Sequence, residues 1–234
     1  MMINKIHLGD SLKILKQIPD NSVDLIVTDP PYELSVGGRA NRGVLKGFNT
    51  LAGEDIKKIV NGFDYQNYFK EFSRVLKRFH LFMFCSNKQL SVLLNIANEY
   101  NLTYTVLIWN KYNAAPFTSN SWKNDIEYII HFKEKGISFK GDNKVYTHPM
   151  EVSKYGHPTE KPLKLIEKYI KIGSNENDVV LDPFLGSGTT VNACINLKRQ
   201  YIGIEIDKKY YKIACEREQK AKGEWGLFVT KEQG

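Results

Sequence analysis

Short apolar runs alternate with helical stripes along most of this chain, and this alternation limits its fold more than any other feature. Residues 23–28 and 80–85 are apolar runs of strand length, and residues 64–77 between them place their apolar side chains on one helical face after an aspartate. The same order returns further on, with strands predicted at 103–109, 126–132, 179–181 and 201–205 and helices at 88–100, 163–172 and 208–222. Such alternation is typical of βαβ units, so the sequence predicts an α/β fold.

Length and composition fit a single domain. The chain has 234 residues, of which 42% are hydrophobic and 25% are charged, which is enough for one sizeable core and too little for two ordinary domains. No apolar run approaches the length of a membrane span, and the first residues lack the apolar centre and cleavage site of a secretory signal. We therefore expect one cytoplasmic domain over residues 1–234.

The cysteines and histidines do not form a pattern typical of a disulfide or a metal site. Cys85, Cys194 and Cys215 are odd in number and lack a short spacing, so we expect buried free thiols. The five histidines do not form the i, i+4 pair of a helical metal site. The sequence predicts no metal.

The formal charge of +7 leaves two interpretations open. Lysine and arginine side chains that neutralise phosphates supply most of the non-specific affinity for nucleic acid, so a basic chain favours a polyanionic partner. Solvated surface lysines of an ordinary soluble protein would give the same charge.

Asp29-Pro30-Pro31-Tyr32 stands where the strand predicted at 23–28 ends. Open α/β sheets bind their ligands beyond the carboxyl ends of the strands. Two prolines remove two backbone donors and fix two φ angles, which leaves the carbonyl oxygens of Asp29 and Pro30 as rigid acceptors. A corner rich in acceptors and flanked by an aromatic ring suits a planar group that carries an NH2. A plain turn from strand to loop is the alternative.

Residues 179–205 have the order of a nucleotide-type cofactor site. A predicted strand leads to a turn containing Gly186 and Gly188, a helix follows, and the next strand ends at Glu205. Glycines let the backbone approach a ligand, and an acid at the end of the next strand can accept hydrogen bonds from two ribose hydroxyls. Asp182 stands where a phosphate would be repelled, so the turn favours a cofactor with a positively charged amino-acid end, such as S-adenosylmethionine.

These two motifs together resemble a known family. Asp29-Pro30-Pro31-Tyr32 and Asp182-Pro183-Phe184-Leu185-Gly186-Ser187-Gly188-Thr189-Thr190 closely resemble the DNA amino-methyltransferases, which produce N6-methyladenine or N4-methylcytosine. The catalytic motif precedes the cofactor motif, which is similar to the permuted beta class. The resemblance covers most of the chain and implies a Rossmann-like S-adenosylmethionine-dependent methyltransferase fold, with a mostly parallel twisted sheet and helices on both faces.

The resemblance also implies partners and residue roles. DNA is the expected partner and S-adenosylmethionine the cofactor, while a homodimer and a separately encoded restriction enzyme are left open. Asp29, Pro30, Pro31 and Tyr32 would form the catalytic corner. His157-Pro158-Thr159-Glu160-Lys161-Pro162 is similar to the segment that closes over the methionine end of the cofactor, and Asp10 looks like the acid near its adenine. The cofactor residues expected in this way are Asp10, His157, Thr159, Lys161, Pro162, Asp182, Pro183, Phe184, Gly186, Ser187, Gly188, Thr189, Glu205 and Ile206.

Two regions are candidates for contact with double-stranded DNA. Residues 33–61 are polar, basic and rich in glycine, which predicts a mobile functional loop that could order on a phosphate backbone; disorder without a role is the alternative. Residues 110–156 stand where larger beta-class members carry a separate target-recognition domain, and here the region is short. Its aromatic side chains among lysines can stack on bases or can pack as a small core under long loops.

The expected reaction is methyl transfer from S-adenosylmethionine to the exocyclic N6 amine of a flipped adenine. Aspartate at the first motif position favours adenine in this family, whereas serine is the commoner choice for cytosine. The alternatives are N4-cytosine methylation and a non-catalytic DNA-binding subunit that retains the fold.

Overall fold

The computed structural model describes residues 2–31, 63–116, 122–151 and 160–232, with side chains described as far as residue 223. Its strands are β1 (Lys5–Leu8), β2 (Leu25–Thr28), β3 (His80–Cys85), β4 (Thr103–Asn110), β5 (Ile126–Lys133), β6 (Val145–Thr147), β7 (Val179–Asp182) and β8 (Gln200–Glu205). Its helices are α1 (Ser11–Leu15), α2 (Tyr65–Val75), α3 (Leu90–Glu99), α4 (Leu163–Gly173), α5 (Thr189–Asn196) and α6 (Lys208–Glu232). A short 3-10 turn, Asn87–Gln89, leads into α3.

The described strands form one sheet in the order β1-β8-β7-β2-β3-β5-β4-β6. Every neighbouring pair is parallel except the two pairs that involve β5, which is antiparallel to both β3 and β4. The predicted α/β class with a mostly parallel sheet is therefore confirmed.

Helices cover both faces of this sheet because the strands are apolar on both sides. β2 and β3 are buried along their whole length, as expected for strands covered twice. On one face, apolar side chains of α1, α2 and α3 pack against alternate strand residues such as Ile26 and Met83. On the other face, α4, α5 and α6 pack against the intervening residues, such as Val27 and Phe82.

The predicted elements agree with the structure to within a few residues, with three differences. The strand at 126–133 is an interior strand of the sheet, paired with β3 on one side and β4 on the other, and its Ile129, Ile130 and Phe132 are fully buried. The sequence did not predict β6, and α6 continues to residue 232, beyond the predicted end at 222. A strand such as β6 is hard to recognise because three residues carry little periodicity.

The order in which the chain adds strands to the sheet changes sides between β7 and β2, which makes this place a topological switch point. From β7 the order runs outward through β8 to β1, and from β2 it runs the other way through β3. Open α/β sheets bind ligands in the crevice at such a switch point, beyond the carboxyl ends of the strands. Among the described residues, no helix is long and apolar enough to cross a membrane.

Candidate active site

The two predicted motifs meet at this switch point. Asp29 follows β2, Asp182 ends β7, and the two strands are parallel neighbours paired through Ile26 and Leu181. The Thr28 hydroxyl donates to Asp182 Oδ1 over 2.9 Å and joins the two strand ends. The structure therefore brings together, at one edge of the sheet, two motifs that are about 150 residues apart in the sequence.

Asp29 has one paired and one unpaired carboxylate oxygen. Its Oδ2 lies 2.7 Å from the Lys161 ammonium. Its Oδ1 is buried, and no hydrogen-bond partner for it exists in the described part of the chain. A buried acceptor without a donor is costly, and such an atom in a native protein calls for an explanation, such as a catalytic role or a bound water or ion.

A row of alternating charges extends from Asp29 along the sheet edge. Lys161 Nζ also lies 3.1 Å from Glu127 on β5, and the other oxygen of Glu127 lies 3.3 Å from the Lys111 ammonium, just after β4. Burial by itself would lower the pKa of Lys161, but the charges of Asp29 and Glu127 outweigh it and raise the pKa. Burial also opposes ionisation of Glu127, and Lys161 and Lys111 reverse that effect and lower its pKa. The pKa shifts of Lys161 and Glu127 thus both favour the charged form.

Asp182, by contrast, has both oxygens bonded within the protein. Oδ1 accepts from the Thr28 hydroxyl and from the backbone N–H of Phe184 at 3.1 Å, and Oδ2 accepts from the Thr190 hydroxyl at 2.6 Å. Burial raises the pKa of Asp182 to about 6, although these three hydrogen bonds favour the charged form. Its carboxylate joins β2, β7 and α5, and its predicted role in cofactor binding stays a prediction.

The turn after Asp182 requires glycine at two positions. Gly186 and Gly188 have φ angles of 57° and 93°, in the left-handed region that side chains disfavour. A Cβ on Gly188 would also approach the Cα of Ala214 in α6 to 3.0 Å. The tight turn lets α5 start directly over the end of β7, next to the place where a ligand at the switch point would lie.

Glu205 ends β8, the next strand, and faces this turn. Its Oε2 accepts from the Gly186 N–H at 2.6 Å and its Oε1 from the Asp207 N–H at 2.7 Å. Burial raises the pKa of Glu205 to about 7, against the effect of these bonds. Ile206 follows Glu205 with 38% of its surface exposed, so an apolar side chain is accessible between Glu205 and Asp207.

Asp10 lies beside Glu205 because β1 and β8 are paired, with Leu8 opposite Glu205. Asp10 is also the cap of α1, and its Oδ1 accepts from the Lys13 N–H at 2.9 Å. Its predicted role near the adenine of the cofactor stays a prediction.

Ser187 is held by a buried arginine from the last helix. Arg217 Nη1 donates to the Ser187 carbonyl and hydroxyl oxygens, both at 2.9 Å, and to Glu160 at 2.6 Å. This contact ties the predicted cofactor turn to the segment that precedes α4. The sequence did not point to Arg217, since a single arginine in a charged helix has no local signature.

Phe184 belongs to an aromatic cluster above the turn. Phe63 and Tyr68 stack with ring centroids 4.5 Å apart, and Phe184 lies 5.4 Å and 5.1 Å from these two rings. The Tyr68 hydroxyl is 2.6 Å from that of Ser11 in α1. The aromatic stripe of α2, predicted as core, therefore also borders the site.

The other predicted residues divide by position. Pro30, Pro31, Pro183 and Thr189 lie at this edge, and Pro162 caps α4 immediately after Lys161. Tyr32, His157 and Thr159, and the loop predicted at 33–61, lie outside the described residues.

Cys85 and Cys194 are buried free thiols as predicted, and Cys215 is half-buried. In the described ranges there is no group of three His, Cys, Asp or Glu side chains that could hold a metal.

Comparison with known proteins identifies the family. A family model described as DNA methylase matches residues 23–154 and 140–216, which together cover most of the chain. The chain belongs to this N6/N4 DNA methylase family. The type II methyltransferase M2.LlaDCHI of Lactococcus lactis subsp. cremoris is 31% identical over 89% of this chain and 87% of its own length.

Solved structures agree with this assignment. The M1.HpyAVI–SAM complex superimposes with a TM-score of 0.68 and 29% identity, over 91% of this chain and 98% of that one. The PvuII cytosine-N4-specific DNA methyltransferase has a TM-score of 0.72 over 94% of this chain and 90% of its own, but only 17% identity, so that likeness concerns the fold alone. This protein is a DNA methyltransferase of the N6/N4 family and uses S-adenosylmethionine as its cofactor.

Proposed function

We propose that this DNA methylase transfers the methyl group to the N6 amine of an adenine that is flipped out of the duplex. The observation that carries the proposal is the buried Oδ1 of Asp29, an acceptor for which the described structure supplies no donor. An exocyclic amine has two hydrogens, and one of them would form a hydrogen bond to this oxygen.

Asp29 and Pro30 would act on the amine by holding its hydrogens. The lone pair of an exocyclic amine is delocalised into the ring, so the nitrogen is a poor nucleophile. When Asp29 Oδ1 and the Pro30 carbonyl accept the two hydrogens, the nitrogen can pyramidalise and direct its lone pair at the methyl carbon. The nitrogen forms the new C–N bond while the C–S bond breaks, the sulfur keeps that electron pair, and the nitrogen then loses one hydrogen to water as a proton. Positioning and electrostatics account for the acceleration, and no covalent enzyme intermediate is needed.

The residues at the ends of β7, β8 and β1 fit S-adenosylmethionine, which supplies a methyl group on a positively charged sulfur. Asp10 and Glu205 are acids, and the turn at Gly186 lacks the lysine of a phosphate loop. Each oxygen of a carboxylate has two lone pairs, so Glu205 can accept ribose hydroxyls in addition to the N–H groups of Gly186 and Asp207. We assign the adenosine end to Asp10, Glu205 and Ile206.

Adenine is preferred to cytosine because of the aspartate at position 29. This choice rests on the family resemblance, in which aspartate favours adenine and serine is commoner for cytosine. The same acceptors also fit the N4 amine of cytosine, which makes N4-cytosine methylation the competing proposal. Tyr32 would stack on the flipped base, and the basic residues of 33–61 and 110–156 would contact DNA phosphates. The type II methyltransferases among its relatives suggest a place in a restriction-modification system.

Product analysis tests the proposal directly. The protein is incubated with methyl-labelled S-adenosylmethionine and DNA of mixed sequence, the DNA is digested to nucleosides, and the products are separated by mass spectrometry. We expect label in N6-methyladenine. Label in N4-methylcytosine would reverse the choice of base, and no label in either nucleoside would overturn the proposal.

A further inference from the structure

Lys161 is expected at the cofactor from its sequence motif, yet its ammonium group contacts the carboxylates of Asp29 and Glu127. It lies 2.7 Å from Asp29 Oδ2 and 3.1 Å from Glu127 Oε2, and its side chain is only 7% exposed. We propose that Lys161, supported by Glu127, is a positioning residue that fixes one oxygen of Asp29 so that the other faces the acceptor amine. This inference rests on the proposed methyl transfer to an amine.

The first reason is orientation. The terminal torsion of an aspartate is broad, so an isolated carboxylate just after β2 would present either oxygen over a range of angles. The ion pair with Lys161 restricts Oδ2. Lys161 is itself restricted, since its ammonium lies 5.2 Å from the centre of the Phe84 ring and the residue directly precedes α4. A displacement of about 1 Å at a reacting group can cost about 100-fold in rate, so this restraint is large enough to matter.

The second reason is charge. The amine nitrogen gains positive charge as the methyl group is transferred, and an isolated ammonium beside Asp29 would oppose that change. Glu127 shares the ammonium of Lys161 and offsets its charge, and Lys111 in turn neutralises Glu127 at 3.3 Å. The row of two acids and two bases has no net charge. Asp29 thus keeps its own negative charge toward the substrate without being exposed to an unbalanced lysine.

A positioning role separates the rate from the affinity for the cofactor. Without the Lys161 ammonium, Oδ2 of Asp29 loses its 2.7 Å partner and the carboxylate can rotate, so the rate of methyl transfer should fall. The cofactor itself need not touch Lys161, so its affinity should stay. A residue that merely supported the fold would lower stability together with the rate, and a residue that held the cofactor would weaken its binding.

The experiment compares Lys161→Met, Lys161→Arg and Glu127→Gln with the wild type. Single-turnover rates of methyl transfer to DNA are measured at saturating S-adenosylmethionine, the affinity for S-adenosylmethionine is measured by isothermal titration, and stability is measured by urea denaturation. For Lys161→Met we expect a rate at least about 100-fold lower, a cofactor affinity within about threefold of wild type, and an unchanged midpoint of urea denaturation. Lys161→Arg keeps the positive charge beside Asp29 and should restore part of the rate, and Glu127→Gln should lower the rate less than Lys161→Met.

Lys164→Met is the matched control, because Lys164 lies three positions further along with 69% of its side chain exposed and pairs with Glu167. It should behave like the wild type. A cofactor affinity more than tenfold weaker in Lys161→Met would show that Lys161 holds the cofactor and would overturn the inference. A rate of Lys161→Met within about threefold of wild type, or a loss of rate that Lys161→Arg does not relieve at all, would overturn it as well, with the proposed function intact. If the wild type itself transfers no methyl group, the proposed function fails and the inference fails with it.

Discussion

Two Asp-Pro pairs end neighbouring strands of this sheet, and their surroundings differ. Asp182 has three donors on its two oxygens, all from the protein, and is only 5% exposed. Asp29 has one oxygen on Lys161, a second without a partner among the described residues, and a side chain that is 23% exposed. The same dipeptide therefore forms a saturated joint between strands in one place and an open acceptor in the other. The two carboxylates therefore differ in the hydrogen-bonding capacity that remains unfilled, and the proposed catalytic role of Asp29 depends on that difference.

Replacing the open acceptor should have the largest effect. Asp29→Asn keeps the size of the side chain but removes its charge, and its NH2 group can turn toward the amine. We expect single-turnover methyl transfer to fall by at least about 100- to 1000-fold, the range seen when one preorganised hydrogen-bonding group is removed, with cofactor affinity within a few fold. The rate and an isothermal titration check this, and Asp20→Asn at an exposed aspartate is the control. Turnover within tenfold of wild type would remove Asp29 from the catalytic role.

Replacing the saturated carboxylate should affect stability first. Asp182→Ala leaves the Thr28 hydroxyl, the Thr190 hydroxyl and the Phe184 N–H without their acceptor. We expect the free energy of unfolding to fall by about 3 kcal/mol, measured by urea denaturation, and Asp182→Asn to lose less because it keeps one acceptor. An unchanged urea midpoint with cofactor affinity more than tenfold weaker would instead make Asp182 a direct cofactor ligand.

Glu205 accepts backbone hydrogen bonds on both oxygens, as Asp182 accepts protein donors, but it is also a proposed ligand of the cofactor. The affinity for S-adenosylmethionine should therefore depend on pH. The Glu205 pKa of about 7 means that the carboxylate of the free protein is protonated in acid, and a protonated acid accepts ribose hydroxyls poorly. The dissociation constant for S-adenosylmethionine should therefore rise as pH falls from 8 to 5.5, approaching about tenfold per pH unit below 7. Titrations at several pH values test this. Glu205→Gln should bind weakly with a flatter profile, and a wild-type affinity that does not change with pH would exclude the proposed contact.

A single donor to Asp182 should have the smallest effect. Thr28→Val keeps the shape of the side chain and removes the 2.9 Å hydrogen bond, so we expect about 1 kcal/mol less stability and methyl transfer within about threefold of wild type. Thr103→Val removes a comparable bond to the Lys133 carbonyl at 2.9 Å, away from the site, and should cost a similar amount. A large loss of rate in Thr28→Val alone would mean that Asp182 affects catalysis as well as folding.

Local patterns were sufficient for most elements of the fold. The strand at His80–Cys85 was predicted with its observed bounds, and the strand at Thr103–Asn110 was one residue longer than predicted. The cap of α2 was also predicted, and Asp64 Oδ1 accepts from the Asn67 N–H at 3.1 Å. These features depend on residues within a few positions of one another, which is why periodicity and capping preferences reveal them.

Such local patterns do not predict where β5 lies in the sheet. Residues 126–133 have the composition of a strand wherever they pair, and the sequence region around them suggested an irregular recognition segment. The structure inserts this strand between β3 and β4, where its pairing with β3 joins residues about 50 positions apart. Strand order depends on which apolar faces can be covered together, so it is decided by long-range packing.

The sequence by itself determined the chemistry available to this protein: a rigid acceptor corner at Asp29 and Pro30, a glycine turn followed by an acid at Glu205, and an order of motifs similar to the beta class. Tertiary structure decided which of these groups remain open. It satisfied Asp182 with hydroxyls from β2 and α5, and it placed Lys161 on Asp29 with Glu127 as the counter-charge. The reason is physical: the spacing of residues specifies which side chains reach a sheet edge, whereas charge balance and hydrogen bonding there depend on neighbours contributed by distant segments.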